Sequence, residues 1–339
     1  MGRTMRSSTM KAFGQFIALS GIIVLLVFSI LMVIPPFRKD GVEIKIRKGA
    51  SLSAVARELK DAHVIPSSKV FGFCMRLFGA DRTIKPGTYS FAPLLSPFLV
   101  AQKLVRGETM AKKVIIPEGR TASQIAQILE SQNIVSKEAF LKEVNNPEFA
   151  ETLGIPAATC EGYLFPDTYF FEEKSDPQEI IEQMVSNFRA VIKKIGGQQI
   201  PEEELHRDVI LASIVEREYR LPEDAPIIAS VFFNRLAAQM PLQSCATVVY
   251  VLTEHLGRPH PSVVYYNDLR VKDPYNTYIH RGLPPGPISN PGEISLRAVL
   301  FPSETDFLYF RLENASSGKH RFSRTLAEHN EVAIIPKGL

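Results

Sequence analysis

Nineteen consecutive residues, Phe16 to Ile34, carry no charge and are dominated by Ile, Leu, Val and Phe. No other feature constrains the chain as strongly. At ~1.5 Å per residue the run makes a helix of ~28 Å, close to the ~30 Å of a bilayer's hydrocarbon core. In lipid every backbone N–H and C=O must be paired within the segment, which leaves a helix as the conformation for a single span. Arg3, Arg6 and Lys11 precede the run and place the N-terminus in the cytoplasm; Arg38 and Lys39 follow it and weaken that bias. A cleaved signal peptide is the competing reading. The run is long for a signal core, however, and Met32-Val33-Ile34-Pro35-Pro36 offers no small-x-small cleavage site. The expectation is an uncleaved single-pass membrane anchor. Residues 1–15 form a cytoplasmic tail, residues 16–34 the transmembrane helix, and everything after Pro36 lies outside the cytoplasm.

Beyond the anchor, the chain reads as globular. Of its 339 residues, 22% are charged and 45% hydrophobic, an ordinary balance for folded domains. A net charge of +3 with no long basic run gives no support for a nucleic acid partner. Cys74, Cys160 and Cys245 are far apart and odd in number, so neither a zinc ribbon nor a disulfide framework is expected. His255, His260, His280, His320 and His329 are not spaced as HExxH, so no metal site is expected, and hydrogen-bonded structural histidines are the better reading. With no GxSxG, P-loop or GxGxxG, neither a serine nucleophile nor a nucleotide cofactor has support, and no cofactor is expected.

The next feature is an internal repeat. Residues 46–59 lie over residues 116–129 at an offset of 70, with Gly49 on Gly119, Ser51 on Thr121, Val55-Ala56 on Ile125-Ala126 and Leu59 on Leu129. Each copy predicts a strand (42–47 and 112–116), a Gly turn, a capping hydroxyl and a helix. Such strand-turn-helix units resemble small glycan-binding LysM-like modules; a repeated packing unit without a ligand explains the pattern equally well. The expected organisation is α+β: a LysM-like module at 40–110, a second repeat unit and connector at 111–160, and a mixed α+β catalytic domain at 161–339. Helices are expected over Ser96–Arg106, Pro177–Ile195, Asp208–Arg220, Ala225–Gln239 and Ile294–Leu300, with a last one beginning at Thr325. Strands are expected at 307–311 and 321–323, and Pro- and Gly-rich loops from Met240 onward.

The stretch Asp208–Arg220 contains the most informative residue. Ile210, Leu211, Ile214 and Val215 form one apolar stripe. On a helix turning ~100° per residue, Glu218 falls within ~10° of the stripe's centre, while Glu216 points to the opposite side. Burial disfavours a carboxylate's charged form and raises its pKa, which suits a general acid near neutral pH. A salt bridge to Arg235 or Arg220 is the alternative, and the pattern alone leaves both open. Across Gln243–Asn290, the residues Gln243, Tyr275, Asn276, Thr277 and Tyr278 offer amides, hydroxyls and amphipathic rings suited to a hydroxyl-rich sugar polymer. Hydrogen bonding that merely stabilises the loops is the other reading.

Eight segments in order, EGYLFPDTY (161–169), LASIVERE (211–218), VFFNRL (231–236), MPLQS (240–244), PYNTY (274–278), GLPPGPISNPG (282–292), LYF (308–310) and EHN (328–330), resemble the YceG-like, or MltG, family of endolytic murein transglycosylases. The resemblance implies lytic cleavage between N-acetylmuramic acid and N-acetylglucosamine in peptidoglycan, leaving 1,6-anhydro ends. One Glu acts as acid and then base, and the match assigns that role to Glu218. Gln243, Asn276 and Tyr278, with Thr247 and Asn234, are the expected glycan contacts; family and location further imply an inner-membrane placement and wall-synthesis proteins as partners beside the glycan strands and the membrane. One departure stands out: Cys245-Ala246 occupies the place of the family's usual Asp-Pro. A hydrolytic muramidase and a catalytically silent wall-binding scaffold are the rival functions.

Overall fold

The computed structural model describes residues 30, 32–80, 83–197, 199–313 and 316–331. The expected transmembrane helix at 16–34 lies outside the described residues except for Ile30 and residues 32–34, and among the described residues no helix is long and apolar enough to cross a membrane. The chain divides into two compact units, Met1–Lys112 and Lys113–Leu339. The architecture is mixed α+β, with strands only in two-stranded sheets.

In the first unit, β1 (Val42–Ile46) pairs antiparallel with β2 (Gly87–Phe91), Ile44 opposite Tyr89. Helices α1 (Leu52–Asp61) and α2 (Ser68–Leu77) lie between the strands in sequence, and α3 (Pro97–Arg106) follows. Ile44, Ile46, Val55, Leu59, Phe71, Tyr89, Phe91 and Leu104 form its core. Alternation explains the strand's share, since Ile44 and Ile46 point inward while Glu43 and Lys45 point out.

The second unit opens with the other repeat copy, β3 (Lys112–Ile115) and α4 (Ala122–Ser131). The two copies match at the level of individual side chains. Leu52, Val55, Ala56 and Leu59 are buried in one, Ala122, Ile125, Ala126 and Leu129 in the other. Gly49 and Gly119 both turn with positive φ, 80° and 70°. Ser51 caps α1 by accepting from the Ala54 N–H, and Thr121 caps α4 in a full capping box with Gln124.

Helices α5 (Lys137–Val144) and α6 (Pro147–Thr152) lead to β4 (Thr168–Phe171), which pairs with β3. Then come α7 (Pro177–Lys194), α8 (Glu202–Val215) and α9 (Ala225–Ala237). The apolar face predicted for α7 is the buried one: Ile180, Ile181, Met184, Val185, Phe188 and Ile192. One expectation needs correction. Residues after Met240 are not all loop, because α10 (Cys245–Tyr250) runs on into a wider helical turn at Val251–His255. Its run of Thr, Val and Tyr has no helical stripe and low helix propensity, but Ser244 caps it and the core accepts Val248, Val251 and Leu252. One hydrophobic core includes side chains from Val114 to Val299. The chain closes with α11 (Glu293–Leu300), the antiparallel pair β5 (Tyr309–Leu312) and β6 (His320–Ser323), and α12 (Leu326–Glu331).

Polar stitching joins distant motifs in this core. The fully buried Asn290 accepts from the Gly162 and Leu164 N–H groups, each at 2.9 Å, and donates to the Arg120 carbonyl and the Glu161 carboxyl. Glu161 also accepts from the Ala122 N–H at the start of α4. Burial pushes the Glu161 carboxyl up to about 8, while the Ala122 N–H holds it back. Gly162 has φ +90°, and a Cβ there would sit 2.5 Å from Pro287, so only glycine allows this approach. Asn290→Ala leaves two buried N–H groups unpaired and is expected to cost roughly 2–5 kcal/mol. Denaturant melts should show that loss, whereas Asn187→Ala, which removes an exposed contact to Asp167, should stay within about 0.5 kcal/mol.

Candidate active site

Helix α8 is not the one-sided amphipathic helix expected. From Val209 to Val215 every residue is buried, because α9 and α11 both pack on it. Nor does it continue to Arg220. It ends at Val215, and the chain tightens into a turn in which Arg217 N–H bonds the Ile214 carbonyl and Glu218 N–H the Val215 carbonyl, both at 3.0 Å. These are three-residue steps, shorter than α-helical ones. Glu218 therefore lies just past the helix rather than on its stripe, half-buried at the edge of the core.

Its principal partner comes from the loop before α10. Ser244 Oγ donates to Glu218 Oε1 at 2.5 Å. The same oxygen accepts the Ala246 N–H at 3.2 Å, the N-cap bond of α10, so the hydroxyl proton is left to point at the carboxylate. Ser244 is itself fixed: its N–H donates to Thr277 Oγ1 at 3.1 Å, and its carbonyl accepts from Thr247 Oγ1 at 2.8 Å. Burial raises the Glu218 pKa above the ordinary carboxyl value; the Ser244 hydroxyl, Arg217, the Ala246 N–H and Arg220 pull it partly back. Among the described residues no cation pairs with Glu218. The expected alternative partner Arg235 is buried elsewhere, donating to the carbonyls of Leu308 at 2.7 Å and Leu242 at 2.9 Å.

The other candidates separate into two groups. Gln243 is exposed, with left-handed backbone (φ 54°), and its side-chain oxygen accepts from Arg235 at 3.3 Å. Tyr278 is half-buried, its hydroxyl 3.0 Å from Cys245 Sγ, and both side chains are close enough to feel the Glu218 charge. Tyr278 and Cys245 thus border Glu218, and Gln243 immediately precedes Ser244 in the same loop. Asn276, by contrast, is fully buried, donating to the Leu269 and Val271 carbonyls and accepting from the Tyr278 N–H. Thr247 is also fully buried and bonds Thr277 at 3.0 Å. Asn234 ties down the Thr305 and Phe307 carbonyls at 2.8 and 2.9 Å and lines a separate 520 Å³ cavity with Ser230 and residues 302–306. Asn276, Thr247 and Asn234 thus spend their polar atoms on the fold.

Two residues escaped the sequence reading. Ser244 sits in MPLQS, but nothing in its spacing ties it to Glu218, 26 positions earlier. Glu216, dismissed as pointing outward, accepts from the Gly292 N–H at 3.0 Å and from the Ser295 hydroxyl. Gly292 is the N-cap of α11 and has no side chain with which to cap it, so Glu216 supplies the anion from another element. Burial pushes the Glu216 carboxyl up to about 7 against those two hydrogen bonds, with Glu118 adding to the rise. Of the histidines, His320 bonds Asp224 at 2.9 Å and His255 bonds Asp273 at 2.8 Å.

Comparison with known proteins adds a separate line of support. The model of the YceG-like family matches residues 44–333. An endolytic murein transglycosylase of Bacillus subtilis (strain 168) is 34% identical over 319 residues, covering 87% of this chain and 86% of the relative. One from Streptococcus pneumoniae is 26% identical over 325 residues, covering 86% of this chain but only 58% of the longer relative. A crystal structure of a yceG-like protein from Listeria monocytogenes superposes with a TM-score of 0.57 at 36% identity, covering 87% of this chain and all of that one.

Glu216 also yields a pH prediction. A carboxyl raised from 4.5 to about 7 stabilises the fold below pH 4.5 and loses that contribution as pH rises toward 7. The unfolding free energy of the wild type relative to Glu216→Gln is therefore expected to fall across that interval. Urea melts of both proteins at several pH values read this difference directly.

Proposed function

Because the chain belongs to the YceG-like family, we propose that it is an endolytic peptidoglycan lytic transglycosylase, a lyase in which Glu218 performs both proton transfers. The observation that carries this reading is the Ser244–Glu218 pair, a carboxyl with a raised pKa held by one oriented hydroxyl and no cation. In the proposed reaction Glu218 carries a proton when glycan arrives, a state that its burial favours, and protonates the oxygen between N-acetylmuramic acid and N-acetylglucosamine. The resulting carboxylate then takes the proton of the sugar's C6 hydroxyl as that oxygen attacks C1. The product is a 1,6-anhydro end and no water is consumed, so the second carboxylate of ordinary glycosidases is unnecessary. The surroundings fit a single-carboxyl site, since Glu216 is committed to α11 and Cys245 stands where the family usually has Asp. In this scheme Ser244 is a positioning residue that steadies the carboxylate between the two transfers. Gln243 and Tyr278 contact glycan at the rim, while Asn276, Thr247 and Asn234 shape the loops behind it. The apolar segment 16–34 anchors the protein in the inner membrane, with the site outside the cytoplasm among glycan strands and wall-synthesis proteins.

Cys245 favours one second reading, a scaffold that binds the wall without cutting it. Turnover of purified glycan strands separates the two. Glu218→Gln is expected to lose on the order of 10²-fold or more in rate while keeping sacculus binding; a wild type no faster than this variant would establish the scaffold. A pH profile then tests the role of Ser244. An essential acid makes kcat/KM fall as pH rises through its pKa. Removing a hydrogen bond to the ionised form raises that pKa, so Ser244→Ala should move the alkaline limb to higher pH and lower the maximum rate. An unmoved limb contradicts the positioning role.

A further inference from the structure

The two units carry opposite charge. Residues 35–112 hold 14 Lys and Arg against 6 Asp and Glu, whereas residues 113–339 hold 22 against 30, or +8 and −8. The basic unit also exposes large apolar side chains. On α2 the inner side buries Phe71, Cys74 and Met75, while the outer side presents Lys69 and Arg76, two turns apart on one face; Arg76 also donates to the exposed Ser53 hydroxyl, and Leu77 follows it at the end of the helix. Leu77 is 63% exposed, and Phe78, which caps the helix, is 77% exposed. At the start of α3, Leu94, Phe98 and Leu99 are exposed in the same unit. Hydrocarbon side chains offer no amide or hydroxyl to a sugar, and large apolar side chains exposed beside cations mark an interaction surface. Leu and Phe beside Lys and Arg match the boundary between acyl chains and anionic headgroups. Chain connectivity points the same way, resting here on the anchor reading of residues 16–34. Only residues 37–41 separate Pro36 from β1, a reach of at most ~18 Å, so the unit cannot leave the membrane's vicinity.

We propose that the outer side of α2 and the start of α3 dock on an anionic lipid surface. Leu77, Phe78, Leu94, Phe98 and Leu99 enter the interface, and Lys69 and Arg76 meet headgroup phosphates. The first unit then lies flat on the membrane that the anchor reading has the chain cross.

The chain has no Trp, so Phe78→Trp creates a single emitter at the surface in question. The full chain is reconstituted in phosphatidylcholine vesicles with and without phosphatidylglycerol, each with ordinary or brominated acyl chains. Phe170→Trp, at an exposed position on β4 of the other unit, serves as the control. The expected result is emission from Phe78→Trp that shifts to the blue and is quenched by brominated lipid when phosphatidylglycerol is present. The effect should weaken at high salt and with Lys69→Glu/Arg76→Glu, and the control should show neither change. Co-flotation with vesicles reports the anchor separately. Protein that floats while Phe78→Trp stays unshifted overturns docking and leaves the anchor standing. A shift already present without vesicles, equal in neutral vesicles, or produced only by purified sacculi also overturns docking, assigning the surface to the chain itself, to apolar insertion alone or to glycan.

Discussion

The Ser244–Glu218 hydrogen bond is the interaction on which the proposed chemistry depends, because a carboxyl that is to hold a proton must be removed from water without an ion-paired cation. A permanent charge within ion-pairing distance would keep the group ionised; full solvent would do nearly the same. Here Arg217 and Arg220 act on Glu218 only through their charge, among the described residues neither forms an ion pair with it, and Arg235 is committed to three backbone carbonyls and stacks over Tyr309. Ser244 donates a neutral hydroxyl to Glu218, and the direction of that hydroxyl is set because the Ala246 N–H already occupies its acceptor side. Losing either constraint would alter the proton's position before any substrate arrived.

Those constraints reach deep into the core. Ser244 is where it is because Thr247 and Thr277 hold its backbone, and Thr277 is held by the loop that buries Asn276. The turn carrying Glu218 is placed by α8, which in turn is stitched to the 287–290 segment. Ser213 accepts the Ile288 N–H at 3.0 Å, and Ser289 bonds the Ser213 carbonyl. Glu216 fastens the same turn to the N-terminus of α11. Two glutamates two residues apart thus serve opposite ends, one locking the turn to the core and the other facing the site. The Cys245 thiol lies beside this arrangement, bonded to Tyr278, and the Ser244–Glu218 bond does not depend on it.

Much of this was legible in the sequence wherever the pattern was local. The repeat, its caps and its buried positions, and the apolar face of α7, follow from 3.6-residue periodicity and from Ser or Thr ahead of each helix. The helical wheel that singled out Glu218 assumed a helix to Arg220, whereas the helix ends at Val215. Glu216 was misread for the same cause: in the turn it points to α11, not to solvent. Side chains whose partners lie far along the chain were invisible. Nothing in the spacing tells that Ser244 meets Glu218, or that Asn276, rich in hydrogen-bonding capacity, spends all of it inside the loop. The helix at 245–255 was missed because β-branched residues mask a helix that capping and burial impose.

The central claim is that one carboxyl, transferring a proton twice, cuts glycan without water. Mass spectrometry of strands released from purified peptidoglycan measures this directly. Lyase chemistry predicts new muramic acid ends lighter by one water than reducing ends, with none of the added oxygen derived from isotopically labelled solvent. Reducing ends that carry solvent oxygen would show a hydrolase and contradict the claim.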